Sequence, residues 1–148
     1  MGQTLYAIIA MMVVSLFSLQ QQQHALRTQL DMIDSEIATM ASAVAVERLE
    51  EIGALAFDQK TKGGAIIDAS SDLTVKNEFG SGEGKDQPGD DIDDFDGSSV
   101  IVSRAVGDEA LRFQVDTTVD YATADAADQV TQVPGKYKVV RITVTDLD

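Results

Sequence analysis

The acidic stretch Asp90–Gly97 is the part of the sequence whose residue types and spacing could do chemistry. It reads DDIDDFDG, so five carboxylates fall within seven residues. Carboxylates this close repel one another unless solvent or a cation screens their charge. Ca²⁺ is a hard cation that takes roughly six to eight oxygen ligands, so it suits such a cluster. The sequence therefore suggests calcium as a cofactor, with the candidate ligands Asp90, Asp91, Asp93, Asp94 and Asp96.

The spacing of these carboxylates differs from that of an EF-hand loop. Counted back from Gly97, Asp96 and Asp94 fit ligand positions, but Ile92 occupies the place of the first ligand. The alternative to a calcium site is a solvated acidic loop that turns Ile92 and Phe95 inward. Both interpretations remain open at the level of sequence.

No other residues form a catalytic constellation. The one histidine, His24, has no cysteine to activate, because the chain contains none. The sequence has no G-x-S-x-G, G-x-G-x-x-G, P-loop or H-E-x-x-H motif. A glycosidase would need a second carboxylate group elsewhere and an aromatic cleft, yet the chain lacks tryptophan. We therefore expect no enzymatic activity.

The charge of the chain narrows the classes of partner. The net charge is −14 at pH 7, and most of the excess lies in the C-terminal two thirds. A nucleic acid is a polyanion that needs clustered lysine and arginine, so we predict no nucleic-acid partner. The same charge disfavours docking on anionic lipid. Without cysteine, a disulfide framework is excluded.

The N-terminal stretch Met1–Gln23 carries no charged side chain and ends in four glutamines. A cleaved signal peptide would show a basic start, but no lysine or arginine precedes Arg27. The apolar run Leu5–Leu19 would rise roughly 23 Å as a helix, against a hydrocarbon core of about 30 Å, whereas Met1–Gln23 would span roughly 34 Å. We expect a weak membrane span before assembly and a helix packed against copies of itself afterwards.

An amphipathic helix is predicted to continue over residues 24–60. Apolar residues recur in steps of four and three from Leu26 to Val44, and the stripe then shifts phase towards Leu49 and Ile52. The first part is expected to contact other helices and the second part the protein's own head. A dimeric coiled coil is the alternative. The candidate polymerisation residues are Leu5, Tyr6, Ile8, Ile9, Met11, Met12, Val13, Val14, Leu16, Phe17, Leu19, Leu26, Leu30, Ile33 and Ile37.

Residues 61–148 are predicted to form an acidic, β-rich head. The alternation from Leu111 to Tyr121 places six residues on one face: Leu111, Phe113, Val115, Thr117, Val119 and Tyr121. An antiparallel sheet of about four strands, laid on the C-terminal half of the helix, gives an α+β fold. The strand candidates are Ala65–Ile67, Leu73–Phe79, Ser99–Val106, Leu111–Tyr121 and Tyr137–Thr145.

The opening Thr4–Leu5, the apolar run Ala7–Val14 and the long helix that follows resemble type IV pilins and their pseudopilin relatives. The resemblance implies N-terminal processing near Met1, Gly2 and Gln3 of an inner-membrane-anchored precursor. It further implies an extracellular or cell-surface helical filament, a homo-oligomer of many copies. Family members typically carry a glutamate near the mature start, where this chain has Leu5 or Ala7. The alternative is a minor pseudopilin or a single-span anchored protein whose head binds a partner or Ca²⁺.

Overall fold

The computed structural model describes residues 2–80, 89–107, 109–123 and 126–148. The chain divides into two units, Met1–Thr39 and Met40–Asp148. Within the described residues there are one long helix, several short 3-10 helices and one four-stranded antiparallel sheet, so the predicted α+β fold is confirmed. The helix and strands are α1 (Gly2–Gly53), β1 (Ser99–Val106), β2 (Glu109–Thr123), β3 (Ala126–Thr131) and β4 (Tyr137–Asp146).

Helix α1 ends at Gly53, earlier than the predicted continuation to residue 60. Glycine is the least favourable helix residue after proline, and it makes this end of the helix weak. The chain then makes a tertiary contact in place of further helical turns, because the carbonyl of Ala56 accepts a hydrogen bond from the Ile92 N–H at 3.0 Å. A backbone bond to a distant loop has therefore replaced the helical bonds that the sequence pattern predicted.

The strands predicted at Ala65–Ile67 and Leu73–Phe79 are wrong. The first stretch has no regular structure, and Ile66 is 90% exposed. Both glycines before it have a positive φ, which turns the chain away from an extended path. The second stretch contains a 3-10 helix at Lys76–Glu78. Leu73 and Thr74 are nonetheless buried, so the segment covers the core without pairing as a strand.

The sheet is organised around β2, which pairs with the other three strands. β1 pairs with the first half of β2, from Val106↔Glu109 to Ser99↔Asp116. β3 pairs with the last residues of β2, near Tyr121. β4 runs along the other edge of β2 from Ala122↔Tyr137 to Phe113↔Asp146. The predictions of β1, β2 and β4 are confirmed, whereas β3 was not predicted.

The core of the second unit lies between the end of α1 and the inner face of β2. Of the six residues that the alternation places on the inward face of β2, Leu111 is half-buried and the other five are buried: Phe113, Val115, Thr117, Val119 and Tyr121. From the helix, Val44 and Ile52 are 3% and 0% exposed. Ile52 packs with Phe95 and Val119 in one cluster, which joins helix, acidic loop and sheet.

Candidate functional site

The first candidate site is the apolar helix segment Leu5–Leu19. Its large apolar side chains are exposed to between 49% for Ile9 and 74% for Tyr6. An ordinary surface helix buries one stripe and exposes polar residues. Here eleven large apolar residues are exposed as well: Leu5, Tyr6, Ile8, Ile9, Met11, Met12, Val13, Val14, Leu16, Phe17 and Leu19.

These side chains surround the helix on all sides. Successive residues turn by about 100°, so the four consecutive residues Met11–Val14 alone point in four directions. Among the hydroxyl groups of this segment, that of Ser15 donates to the Met11 carbonyl at 2.8 Å. That bond satisfies the Ser15 hydroxyl within its own helix, so burial of this side chain would leave its donor paired.

Beyond the glutamines the apolar surface narrows to a stripe. Leu26, Leu30 and Ile33 are 61%, 61% and 52% exposed, and Ile37 is half-buried. Spacings of four and three place them on one side of the helix. The predicted processing residue Met1 lies outside the described residues, while Gly2 begins α1 and Gln3 is exposed. Within the described residues, no helix combines the length and apolar character that crossing a bilayer requires.

The second candidate site is the acidic loop Gly89–Gly97, which follows residues 81–88 that lie outside the described part. Phe95 is 9% exposed in the core and Ile92 packs beside it, which is the inward placement that the solvated-loop alternative expected. The Arg48 guanidinium lies 4.5 Å from the centre of the Phe95 ring. These contacts hold the loop against the end of α1.

Three of the five candidate calcium ligands come together in this loop. One carboxylate oxygen from each of Asp90, Asp91 and Asp94 lies within 4.8 Å of the other two. Asp94 accepts hydrogen bonds from the N–H groups of Gly89 and Asp90 at 3.0 and 3.1 Å. Asp91 in turn accepts one from the Asp94 N–H at 3.2 Å. The backbone therefore fixes two of the three carboxylates.

The remaining two predicted ligands have other partners. Asp96 accepts from the Lys76 ammonium at 2.7 Å and from the Val119 N–H at 2.8 Å, which attaches the loop to β2. Asp93 accepts from the Lys138 ammonium at 2.5 Å. Both residues therefore serve the fold, and of the five candidate ligands the structure brings together Asp90, Asp91 and Asp94.

A buried charge network around Lys138 was missed by the sequence analysis. The Lys138 side chain is 1% exposed and its ammonium also donates to the Phe57 carbonyl at 2.6 Å. Asp58, which is fully buried, lies 3.7 Å from the same ammonium and accepts from the Thr74 N–H at 2.9 Å. The alternation of β4 carried a signal for this network, because it places Lys138 on the inward face.

Burial raises the pKa of two carboxyl groups in the loop. The pKa of Asp91 lies above its ordinary value because the group is desolvated, and the neighbouring Asp94 carboxylate acts in the same direction. Desolvation raises the pKa of Asp93 to about 7, although the Lys138 ammonium opposes that rise. The loop thus holds carboxylates whose charged forms the fold alone does not fully stabilise.

The chain matches no protein-family model, no curated protein and no solved structure. Its function is therefore inferred from the apolar helix segment and the acidic loop.

Proposed function

We propose that the chain is a structural subunit of an extracellular, type IV pilus-like helical filament, in which the apolar helix segment packs against copies of itself. The acidic heads would then lie at the filament surface. The observation that carries this proposal is the exposure of large apolar side chains on every side of the segment.

One neighbouring molecule would leave much of this surface in water. Full burial of the eleven side chains would contribute on the order of 20 kcal/mol per subunit, at about 2 kcal/mol each. A single partner covers about half of a helix circumference, and association itself costs roughly 4–15 kcal/mol. Half of that burial falls inside the range of this cost, whereas several neighbours around one helix give a free energy of burial that exceeds it. A bundle of many copies meets this need.

Copies of the same chain suit each other along the whole helix. In a parallel bundle, apolar segments meet apolar segments, and Gln20–Gln23 of one copy can hydrogen-bond to the glutamines of another. Further along, the narrower stripe from Leu26 to Ile37 needs cover on one side only. The exposed apolar surface therefore surrounds the helix at its N-terminal end and lies on one side of it further along. This is expected for helices that pack closely at one end and separate towards their heads.

The experiment replaces one apolar side chain in the segment by a carboxylate. The full chain is purified in non-ionic detergent, the detergent is removed, and assembly is followed by sedimentation and negative-stain electron microscopy. Leu16→Asp is matched with Ile66→Asp, because Leu16 is 63% exposed and Ile66 is 90% exposed in the head. The two variants receive the same chemical change, and only one lies in the proposed interface.

Wild type and Ile66→Asp are expected to form filaments. Leu16→Asp loses about 2 kcal/mol of apolar burial and adds a buried carboxylate, so its critical concentration should rise about 100-fold or more. Assembly of Leu16→Asp at the wild-type concentration would contradict the proposal. So would a wild-type chain that stays monomeric after detergent removal.

A further inference from the structure

We propose that Asp90, Asp91 and Asp94 bind a calcium ion that stabilises the acidic loop of the head. This site does not depend on filament formation. It differs from the set of five carboxylates that the sequence suggested, because Asp93 and Asp96 form ion pairs with lysines.

The spacing of the three carboxylates fits one ion. Oxygens bound to the same Ca²⁺ at roughly 2.3–2.6 Å cannot lie farther apart than about 5 Å. The three ligand oxygens lie within 4.8 Å of one another, so a single ion can contact all of them. Asp90 and Asp94 are half-buried, which leaves room for water to complete the coordination.

Two carboxylate oxygens of the cluster are buried without a hydrogen-bond partner among the described residues. They are Oδ2 of Asp91 and Oδ1 of Asp90. Asp91 is 0% exposed, so no bulk water reaches its unpaired oxygen. An unpaired buried carboxylate oxygen costs several kilocalories per mole in an apolar environment, and native structures seldom leave one unsatisfied. A cation held by these carboxylates would compensate both residues for the missing partners.

The local charges also leave a deficit of positive charge. Lys62 pairs with Asp90, and Lys138 pairs with Asp93 and Asp58. Among the described residues, neither Asp91 nor Asp94 has an ion pair of its own. Among the described residues around this loop, two lysines therefore pair with or lie beside five carboxylates, three of them fully buried. A divalent cation between Asp90, Asp91 and Asp94 supplies the missing charge where it is needed.

The donor set favours Ca²⁺ over other metals. All three ligands are carboxylates, the chain has no cysteine, and its one histidine, His24, belongs to the other unit. Zinc prefers nitrogen and sulfur ligands. Mg²⁺ demands near-ideal octahedral geometry and gives up its water reluctantly, whereas Ca²⁺ accepts irregular sets. With three carboxylates and a lysine beside one of them, we expect a Kd of about 10⁻⁴–10⁻³ M, in the range of extracellular modules.

The test measures thermal unfolding and calcium binding of the full chain dispersed in non-ionic detergent. Near-UV circular dichroism of tyrosine follows the head, because Tyr121 is fully buried there. Ten millimolar CaCl₂ is compared with EGTA and with MgCl₂, and titration calorimetry gives the Kd. Saturating Ca²⁺ should raise the unfolding midpoint by about 10 °C, and Mg²⁺ by much less.

Three variants decide whether the effect belongs to this site. Asp91→Asn and Asp94→Asn keep an amide oxygen that accepts the backbone hydrogen bonds, but each removes a charged ligand. Both should weaken calcium binding about tenfold or more and lose most of the midpoint shift. Asp72→Asn makes the same change at an exposed position of the head and should retain the wild-type shift.

In EGTA, Asp91→Asn should unfold at or above the wild-type midpoint, because it removes a buried charge that the fold leaves unpaired. If Asp91→Asn does not fold, Asp94→Asn alone supplies the test. The inference is overturned if Ca²⁺ shifts no midpoint and releases no heat. It is equally overturned if both Asp91→Asn and Asp94→Asn bind calcium as tightly as Asp72→Asn. Since assembly is not required, either result leaves the filament proposal to its own experiment.

Discussion

Replacing Lys138 by methionine would test how the head is held together. The variant removes an ammonium whose side chain is 1% exposed, while keeping an unbranched chain of similar length. It leaves the fully buried Asp93, 2.5 Å from that ammonium, without its cation, and Asp58 at 3.7 Å loses the same charge. The Phe57 carbonyl also loses a hydrogen bond of 2.6 Å.

The size of the effect follows from these losses. Removing one partner of a buried ion pair costs about 3–5 kcal/mol when the other charge stays buried. Asp93 has a pKa of about 7, so it can take up a proton near neutral pH, and the cost there lies at the lower end of this range. The whole stability of such a domain is about 5–15 kcal/mol. For a head of about 100 residues, the midpoint of thermal unfolding should fall by roughly 15–30 °C.

The assay is near-UV circular dichroism of the full chain in non-ionic detergent with EGTA, so that neither assembly nor calcium contributes. Lys136→Met is the control, because Lys136 is exposed and lies two residues earlier. Adding Asp93→Asn to Lys138→Met should recover about 2 kcal/mol, because it removes the charge left behind. A Lys138→Met midpoint within about 3 °C of wild type would refute the reasoning.

Two further predictions concern the head. Gly80→Ala should lower the free energy of unfolding by roughly 3 kcal/mol, because Gly80 has a φ of +79° and a Cβ there would lie 2.9 Å from the Asp96 carbonyl oxygen. Gly97→Ala should lower it by only about 1 kcal/mol, because Gly97 has a φ of +71° but open space around it. Equal losses in urea denaturation would show that the close approach does not matter. Phe113→Ala should cost about 3–5 kcal/mol, because Phe113 is fully buried, whereas Ile101→Ala, at 66% exposed, should cost under about 0.5 kcal/mol in the same assay. A Phe113→Ala loss as small as that of Ile101→Ala would mean that β2 does not form the core.

The sheet was predictable where one strand face is buried. A period of two in β2 identified its inward residues, because polar and apolar side chains alternate across a half-buried strand. β3 reads AADQVT and has few strand-forming residues, so its pairing with β2 comes from chain connectivity and not from local preference. The end of α1 was predicted too late because the bond between Ala56 and Ile92 spans 36 residues and leaves no periodic trace.

In the acidic loop, too, the sequence predicted the features that depend on local residues and missed those that depend on distant ones. The composition of Asp90–Asp96 identified a dense group of carboxylates, and the alternative interpretation of a solvated acidic loop placed Ile92 and Phe95 inward. Which carboxylates converge depends on where distant lysines lie. Lys76 and Lys138 bind Asp96 and Asp93 over 20 and 45 residues of sequence, and no local pattern encodes such pairs.

The apolar helix segment is best tested by its protection from a water-soluble reagent. The chain has no cysteine, so single cysteines introduced at Met11, Met12, Val13 or Val14 can be labelled with a charged maleimide in detergent-free, purified protein. These four positions surround the helix, and Ile66→Cys, at a position 90% exposed in the head, is the reference. Packing against copies predicts that all four react at least about tenfold more slowly than Ile66→Cys. Labelling of the four at the Ile66→Cys rate, in protein that remains monomeric, would contradict the account.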